Sequence, residues 1–148
     1  MTQPARHPAD SGAYTADGYP RLSGTKPADV SGLANDFEAW AKAELDRLGG
    51  LLAAADATSR AEVFAEIGRA AHDMKGQAGV FGYQLAAQIA QRLSAYICAR
   101  ATEPAADDAT VVELHRRTLA SVLAARAKGD GGEKGRKILD GLARAAGG

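Results

Sequence analysis

The chain has 148 residues, a length that suits one domain with a hydrophobic core of its own. Its 18 basic and 18 acidic residues balance, so charge gives no reason to expect nucleic acid or an anionic membrane as the main partner. A single cysteine excludes an intramolecular disulfide, and the lack of a signal-peptide core or an apolar run near ~20 residues leads us to expect a cytoplasmic protein. From the balanced charge we expect a monomer.

Residues 1–30 differ in composition from the rest of the chain. They contain four of the five prolines, together with many Gly, Ser, Thr and Asp residues. Apolar side chains do not recur there at a regular spacing, so this segment cannot bury a core. We predict a disordered or loosely ordered N-terminal tail over 1–30 and a helical domain over 31–148.

Two amphipathic helices are predicted next. The first begins at Ser31 or Asn35 and ends or bends at Gly49-Gly50. The second begins after Ser59, which we predict as N-cap in a capping box with Glu62. The inward face predicted for the first helix consists of Phe37, Trp40, Ala41, Leu45 and Leu48.

Three more helices follow at short intervals. "YQLAAQIAQRLSAYICA" places Leu85, Ile89, Leu93, Tyr96 and Ile97 inward. The fourth helix is capped by Asp107 or Asp108, and its predicted inward face comprises Val111, Leu114, Leu119, Val122 and Leu123. "RKILDGLARAA" is a short last helix. Since no segment alternates like a strand, we predict an all-α fold, an up-and-down antiparallel four-helix bundle with an additional short C-terminal helix.

The second helix has two distinct faces. Its apolar face contains Phe64, Ile67, Ala71, Met74, Ala78 and Phe81. A second series at the same spacing contains Ala65, Gly68, Arg69, His72, Lys75, Gly76 and Gly79. Because His72 lies about 100° from Ala71 and about 200° from Met74 around the helix, it projects away from the core.

The glycines weaken this helix by about 2–3 kcal/mol in total, a large share of an ordinary stability margin. Steric access to His72 is a physical reason to accept that cost, since a flat protein surface can approach a ring with no side chain one turn away. A neutral imidazole is a good nucleophile near pH 7, and free histidine has a pKa of about 6.5. Lys75 is placed to offset the charge of a phosphoryl group bound to the ring.

These residues resemble the motif of the histidine-containing phosphotransfer (HPt) domain family. In that family the histidine is followed by lysine at +3, glycine at +4, and small residues at +7 and +10. Here these positions hold His72, Lys75, Gly76, Gly79 and Gly82. "HDMKGQAGVFGY" is especially similar to small stand-alone members from alphaproteobacteria, and the framework from about 33 to 127 fits the family's four-helix bundle.

The resemblance implies a phosphorelay intermediate. His72 would accept a phosphoryl group from a receiver-domain aspartate or a histidine kinase and pass it to a response-regulator aspartate. The resemblance also implies a phosphocarrier rather than an enzyme. It would need no metal or cofactor of its own, because the partner receiver domain supplies the Mg²⁺.

We predict a docking surface on the second and third helices around His72. Its predicted members are Arg69, Lys75, Gly76, Gly79, Gln84 and Gln88. Some family members place Glu or Gln at +22 from the histidine, where it orients the ring. Position +22 is Ser94 here, so Ser94 or Gln91 would take that role.

Other interpretations of the sequence remain open or are excluded. "GDGGEKGRK" lacks the ending of a phosphate-binding loop, and the chain has no room for an ATP-binding kinase domain. A metal- or haem-binding bundle would need further ligands facing His72. A helical adaptor that binds a receiver or kinase without carrying phosphate would tolerate loss of His72. We predict His115 to be structural or at the surface, and Cys98 to be half-buried.

Overall fold

The computed structural model describes residues 27–100 and 103–147. Within these ranges the chain forms five helices and no strand, so the predicted all-α fold is confirmed. The helices are α1 (Pro27–Ala54), α2 (Arg60–Val80), α3 (Gln84–Ala99), α4 (Ala106–Ala124) and α5 (Gly132–Ala145). Residues 1–26 of the predicted tail lie outside the described residues.

The first helix is longer than the sequence predicted. It begins at Pro27 rather than at Ser31 or Asn35, and it continues through Gly49-Gly50 to Ala54. Proline suits the first turn of a helix because its missing N–H would have no partner there. By contact the chain divides into two units, 1–37 and 38–148. The division falls within α1, so the second unit contains α1 from residue 38 onward and all of α2–α5.

The core of the second unit lies between the facing apolar sides of α1–α4, which form the predicted four-helix bundle. One cluster joins Leu48 and Leu52 of α1 to Phe64 and Ile67 of α2. The same cluster includes Ala70, Ala71, Leu93, Ile97 and Val112. Trp40, predicted to face inward, is instead 37% exposed. Leu114 on α4 is also exposed, because α4 turns Val112 and His115 toward the core.

Two predicted helix starts are capped differently from the prediction. Ser59 occupies the N-cap of α2, but its side chain accepts a hydrogen bond from the Asp56 N–H and makes no cap bond. Before α4, the Asp108 carboxylate accepts a hydrogen bond from the backbone N–H of Ala105 at 2.8 Å. Asp108 therefore stabilises the start of α4 as predicted, although it lies within the first turn and not at the N-cap.

The connection between α2 and α3 is a tight turn that requires glycine. Gly82 has φ of +86°, in the left-handed region. The Tyr83 N–H donates to the Ala78 carbonyl at 2.8 Å and the Gly82 N–H donates to the Gly79 carbonyl at 3.3 Å. This pair of bonds is the Schellman motif, which ends α2 and reverses the chain. As a result α2 and α3 run antiparallel on either side of residues 81–83.

Candidate functional site

The inward face of α2 fixes the outward direction of His72. Every residue of the predicted apolar face from Phe64 to Phe81 is buried, each with at most 8% exposure. The regular 3.6-residue period then turns His72 to the surface, where it is exposed. Burial of the opposite face therefore sets the direction in which the His72 side chain projects.

His72 lies in a shallow groove between α2 and α3. From α2 the groove is lined by Ala65, Gly68, Arg69, His72 and Asp73, and from α3 by Ser94, Ile97 and Cys98. Half of these residues are small, namely Ala65, Gly68, Ser94 and Cys98, so parts of the groove wall are low. The structure thus brings together three of the predicted site residues, His72, Arg69 and Ser94.

The glycines around His72 have different surroundings. A Cβ added to Gly68 would lie 3.2 Å from Cγ2 of Ile97, closer than ordinary packing allows. Gly68 therefore permits the close approach of α2 to α3. A Cβ added to Gly79 would meet nothing within 4 Å, so Gly79 borders open space. Gly76 and Gly79 are both exposed.

The charged groups next to the ring are mostly cationic. Arg69 is exposed and Lys75 is half-buried, while Asp73 is an exposed carboxylate beside the ring. Among the ion pairs between described residues, none includes Arg69 or Lys75. Their positive charges are therefore available to an anion that approaches the exposed face of α2.

The remaining predicted residues lie along α3. Gln84, Gln88 and Gln91 are exposed and Ser94 is half-buried. Because α2 and α3 are antiparallel around the turn at 81–83, Gln88 is level with Gly76 and Gln84 is level with Val80. Gln91 does not line the groove that holds His72, whereas Ser94 does.

The sequence analysis did not select Asp73, Ile97 or Cys98 as site residues. Cys98 is exposed in the groove and not half-buried as predicted. The signal for it was present in the spacing, because Cys98 follows Ser94 by one helical turn and shares its face. Ile97 was assigned to the core alone, yet it also forms the floor of the groove beneath Gly68.

His115, which we predicted to be either structural or at the surface, is a buried structural histidine. It is 2% exposed, its Nδ1–H donates to the Val111 carbonyl at 2.8 Å, and its ring stacks on Tyr96. Burial lowers the pKa of His115 below its ordinary value, and the nearby charge of Arg92 lowers it further, while the bond to Val111 acts in the opposite direction. In the described part of the chain, His72 is the histidine that solvent reaches.

Within residues 27–100 and 103–147, no three or more His, Cys, Asp or Glu side chains cluster as metal ligands would. None of the helices described has the length and apolar character that a membrane crossing requires.

Comparison with known proteins identifies the family. The Hpt domain family model matches residues 32–127, well over half of the chain. No curated protein and no solved structure gave a significant match. The matched range contains α2 with its exposed histidine and glycines, together with the four-helix bundle that positions them. The chain therefore belongs to the Hpt domain family, whose members are phosphocarrier modules that act with receiver domains and histidine kinases in two-component signalling.

Proposed function

We propose that this protein is a phosphorelay intermediate and that His72 is its phosphoacceptor. The observation that carries the proposal is the exposure of His72 on α2 of an Hpt domain, on the same helix face as Gly79, whose missing side chain leaves open space. A receiver domain docked over this face would bring its phosphorylated aspartate to the ring without displacing a side chain at Gly79.

On the side of the carrier, the transfer step needs only the neutral ring of His72. The lone pair of a ring nitrogen of His72 forms the P–N bond while the P–O bond to the aspartate breaks. The aspartate carboxylate leaves with the bonding electrons, and the other ring nitrogen keeps its proton. Transfer to a downstream receiver reverses these bond changes. Because little covalent chemistry falls to the carrier, its task is to position the ring and balance charge.

The groups around His72 support this division of tasks. Lys75, one turn along α2 from His72, offsets the charge of a phosphoryl group on the ring, an effect of about 1 kcal/mol or less at a partly exposed site. Ser94 faces the same groove and is the residue we propose to orient the ring, with exposed Gln91 as the alternative. Arg69, Gly76, Gly79, Gln84 and Gln88 form the proposed docking surface. The Mg²⁺ that the reaction needs would be bound by the receiver.

Phosphotransfer profiling tests the proposal. The purified protein and a His72→Gln variant would be mixed with ³²P-labelled receiver domains and histidine kinases from the same genome. We expect acid-labile, base-stable label to move rapidly onto the wild type and not onto the variant.

The chain supplies an internal comparison, because the variant retains His115 and His7. Label that still reaches the His72→Gln variant would show that another residue is the acceptor. A His72→Gln variant that takes no label but keeps full biological activity would instead support the adaptor that carries no phosphate.

A further inference from the structure

The segment that follows residue 127, where the family match ends, is hydrogen-bonded to the α2–α3 turn and to the start of α3. The Gly129 N–H donates to the Gly82 carbonyl, and the Leu85 N–H donates to the Gly129 carbonyl, both at 2.8 Å. A Cβ on Gly131 would lie 3.0 Å from Cδ2 of Leu85, so the loop before α5 packs closely on the start of α3. These contacts hold the loop at the end of α2 that carries the exposed glycines.

Lys128 is held at this junction with its ammonium group at the surface. Its Nζ lies 4.8 Å from the centre of the Tyr83 ring, and its Cδ would be 3.9 Å from a Cβ on Gly82. Tyr83 is fully buried, and Lys128 lies over its ring as a cation–π contact. Lys128 itself is exposed, and no ion pair between described residues includes it. Asp130 nearby accepts a hydrogen bond from the Gly132 N–H.

The α2–α3 turn, which Lys128 contacts, lies within reach of a protein domain docked on His72. His72 lies about 12 Å along the helix axis from Val80, the last residue of α2. A standard interface buries about 800 Å² on each partner, a disc of roughly 16 Å radius. A domain centred on His72 would therefore reach the α2–α3 turn, where Lys128 adds a positive charge to those of Arg69 and Lys75.

We propose that Lys128 is part of the receiver-docking surface and pairs with a carboxylate at the rim of the receiver domain. The inference rests on the function proposed above. In this proposal the loop after residue 127, which lies outside the family match, provides a contact that favours receivers with an acidic residue opposite Lys128. The turn that Lys128 contacts lies about 12 Å or more along the helix axis from His72, so we expect Lys128 to act on docking and not on the transfer step.

The test measures transfer rates with the full chain and the labelled receiver that reacts fastest in the profiling experiment. In Lys128→Met the aliphatic chain still covers Tyr83 but the charge is lost. We expect the receiver concentration for half-maximal rate to rise about threefold to fivefold at low ionic strength, with the maximal rate unchanged. The difference should vanish near 1 M salt, where the screening length is about 3 Å. Lys128→Arg should behave like the wild type.

Arg117→Met is the matched control, because it removes an exposed cation from the groove between α1 and α4, away from His72. The inference is overturned if Lys128→Met matches the wild type at low salt, or if Arg117→Met causes an equal loss. An equal loss in Lys128→Arg would assign the effect to packing on Tyr83, which also overturns it. If the wild type accepts no phosphate from any donor, the proposed function fails, and this inference fails with it.

Discussion

Gly68 and Gly79 lie on the same side of α2 as His72 but meet different neighbours. At Gly68 the side chain of Ile97 occupies the space that a Cβ would need, so this glycine permits close contact between α2 and α3. At Gly79 the space is open to solvent. Glycine lowers helix propensity by a similar amount at both positions. Close helix packing explains Gly68, whereas steric access for a partner is the explanation left for Gly79.

Replacing these two glycines by leucine should separate packing from access. In Gly68→Leu the new side chain clashes with Ile97, and we expect a loss of about 1–3 kcal/mol in the free energy of unfolding. In Gly79→Leu the side chain enters open space, so stability should be retained or rise by about 0.5 kcal/mol. Urea denaturation measures both changes.

Of these two variants, Gly79→Leu also tests the docking surface. Gly79→Leu should be folded but should accept phosphate from a receiver at least about tenfold more slowly, because the leucine blocks close approach. A Gly79→Leu variant that is both folded and fully active would refute the steric explanation for this glycine. Far-UV circular dichroism on the same sample confirms that the helices are intact.

At the scale of a helix, Asp108 ties the start of α4 to the end of α3. Its carboxylate accepts bonds from the Ala105 N–H, the Tyr96 hydroxyl at 2.8 Å and the Arg100 guanidinium at 3.0 Å. These donors lower the pKa of Asp108, the Ala105 N–H most strongly, while partial burial opposes them. One side chain therefore serves as helix cap and as a link between two helices.

We expect Asp108→Ala to reduce the free energy of unfolding by about 2 kcal/mol, because the cap is lost and Tyr96 loses its acceptor. Asp107→Ala is the matched control, since Asp107 is an exposed carboxylate in the same first turn. Both variants remove one negative charge from the N-terminus of α4. Thermal unfolding that gave equal losses for the two variants would show that charge at the helix end, and not the Asp108 contacts, stabilises α4.

The helices and their buried faces could be predicted because burial imposes a period that the sequence displays. The apolar face of α2 and most of that of α3 follow directly from spacing. Trp40 and Leu114 show the limit of this argument, since hydrophobicity alone does not tell which edge of an apolar face remains exposed. The sequence also did not predict the hydrogen bonds of Ser59. Its hydroxyl and its N–H are bonded to Asp56 in the preceding turn, and its side chain makes no bond to the first turn of α2.

For the candidate site, the sequence predicts most directly which residues of a single helix share a face. His72, Lys75 and the glycines are local in sequence, and their spacing places them on one face of α2. On the α3 side of the groove, Ser94 was expected from its position relative to His72, and Cys98 lies one turn further on the same face. Spacing alone did not show that Ser94, and not Gln91, lines the groove, because that depends on the rotation of α3 against α2. The contact of Lys128 with Tyr83 joins residues far apart in sequence, and no local pattern encodes it.

For the molecule as a whole, His115 should make stability depend on pH in the weakly acidic range. Burial lowers the pKa of His115 in the folded state, so below about pH 6.5 the unfolded chain binds a proton that the folded chain does not. Stability should therefore be highest above this pH and should fall as pH decreases, with a slope of at most about 1.4 kcal/mol per pH unit, until the folded pKa is reached.

The carboxylates with lowered pKa among the described residues, Glu44, Asp56, Asp108 and Glu113, lose their contribution only at more acidic pH, which leaves the range from about pH 5 to 6.5 to His115. Urea denaturation of wild type and His115→Gln across this range gives the two slopes. The glutamine amide can still donate to the Val111 carbonyl, so the variant should fold, and its stability should vary less with pH. Equal slopes for the two proteins would contradict the assignment. In that case another group that titrates near neutrality would have to differ between the folded and unfolded states.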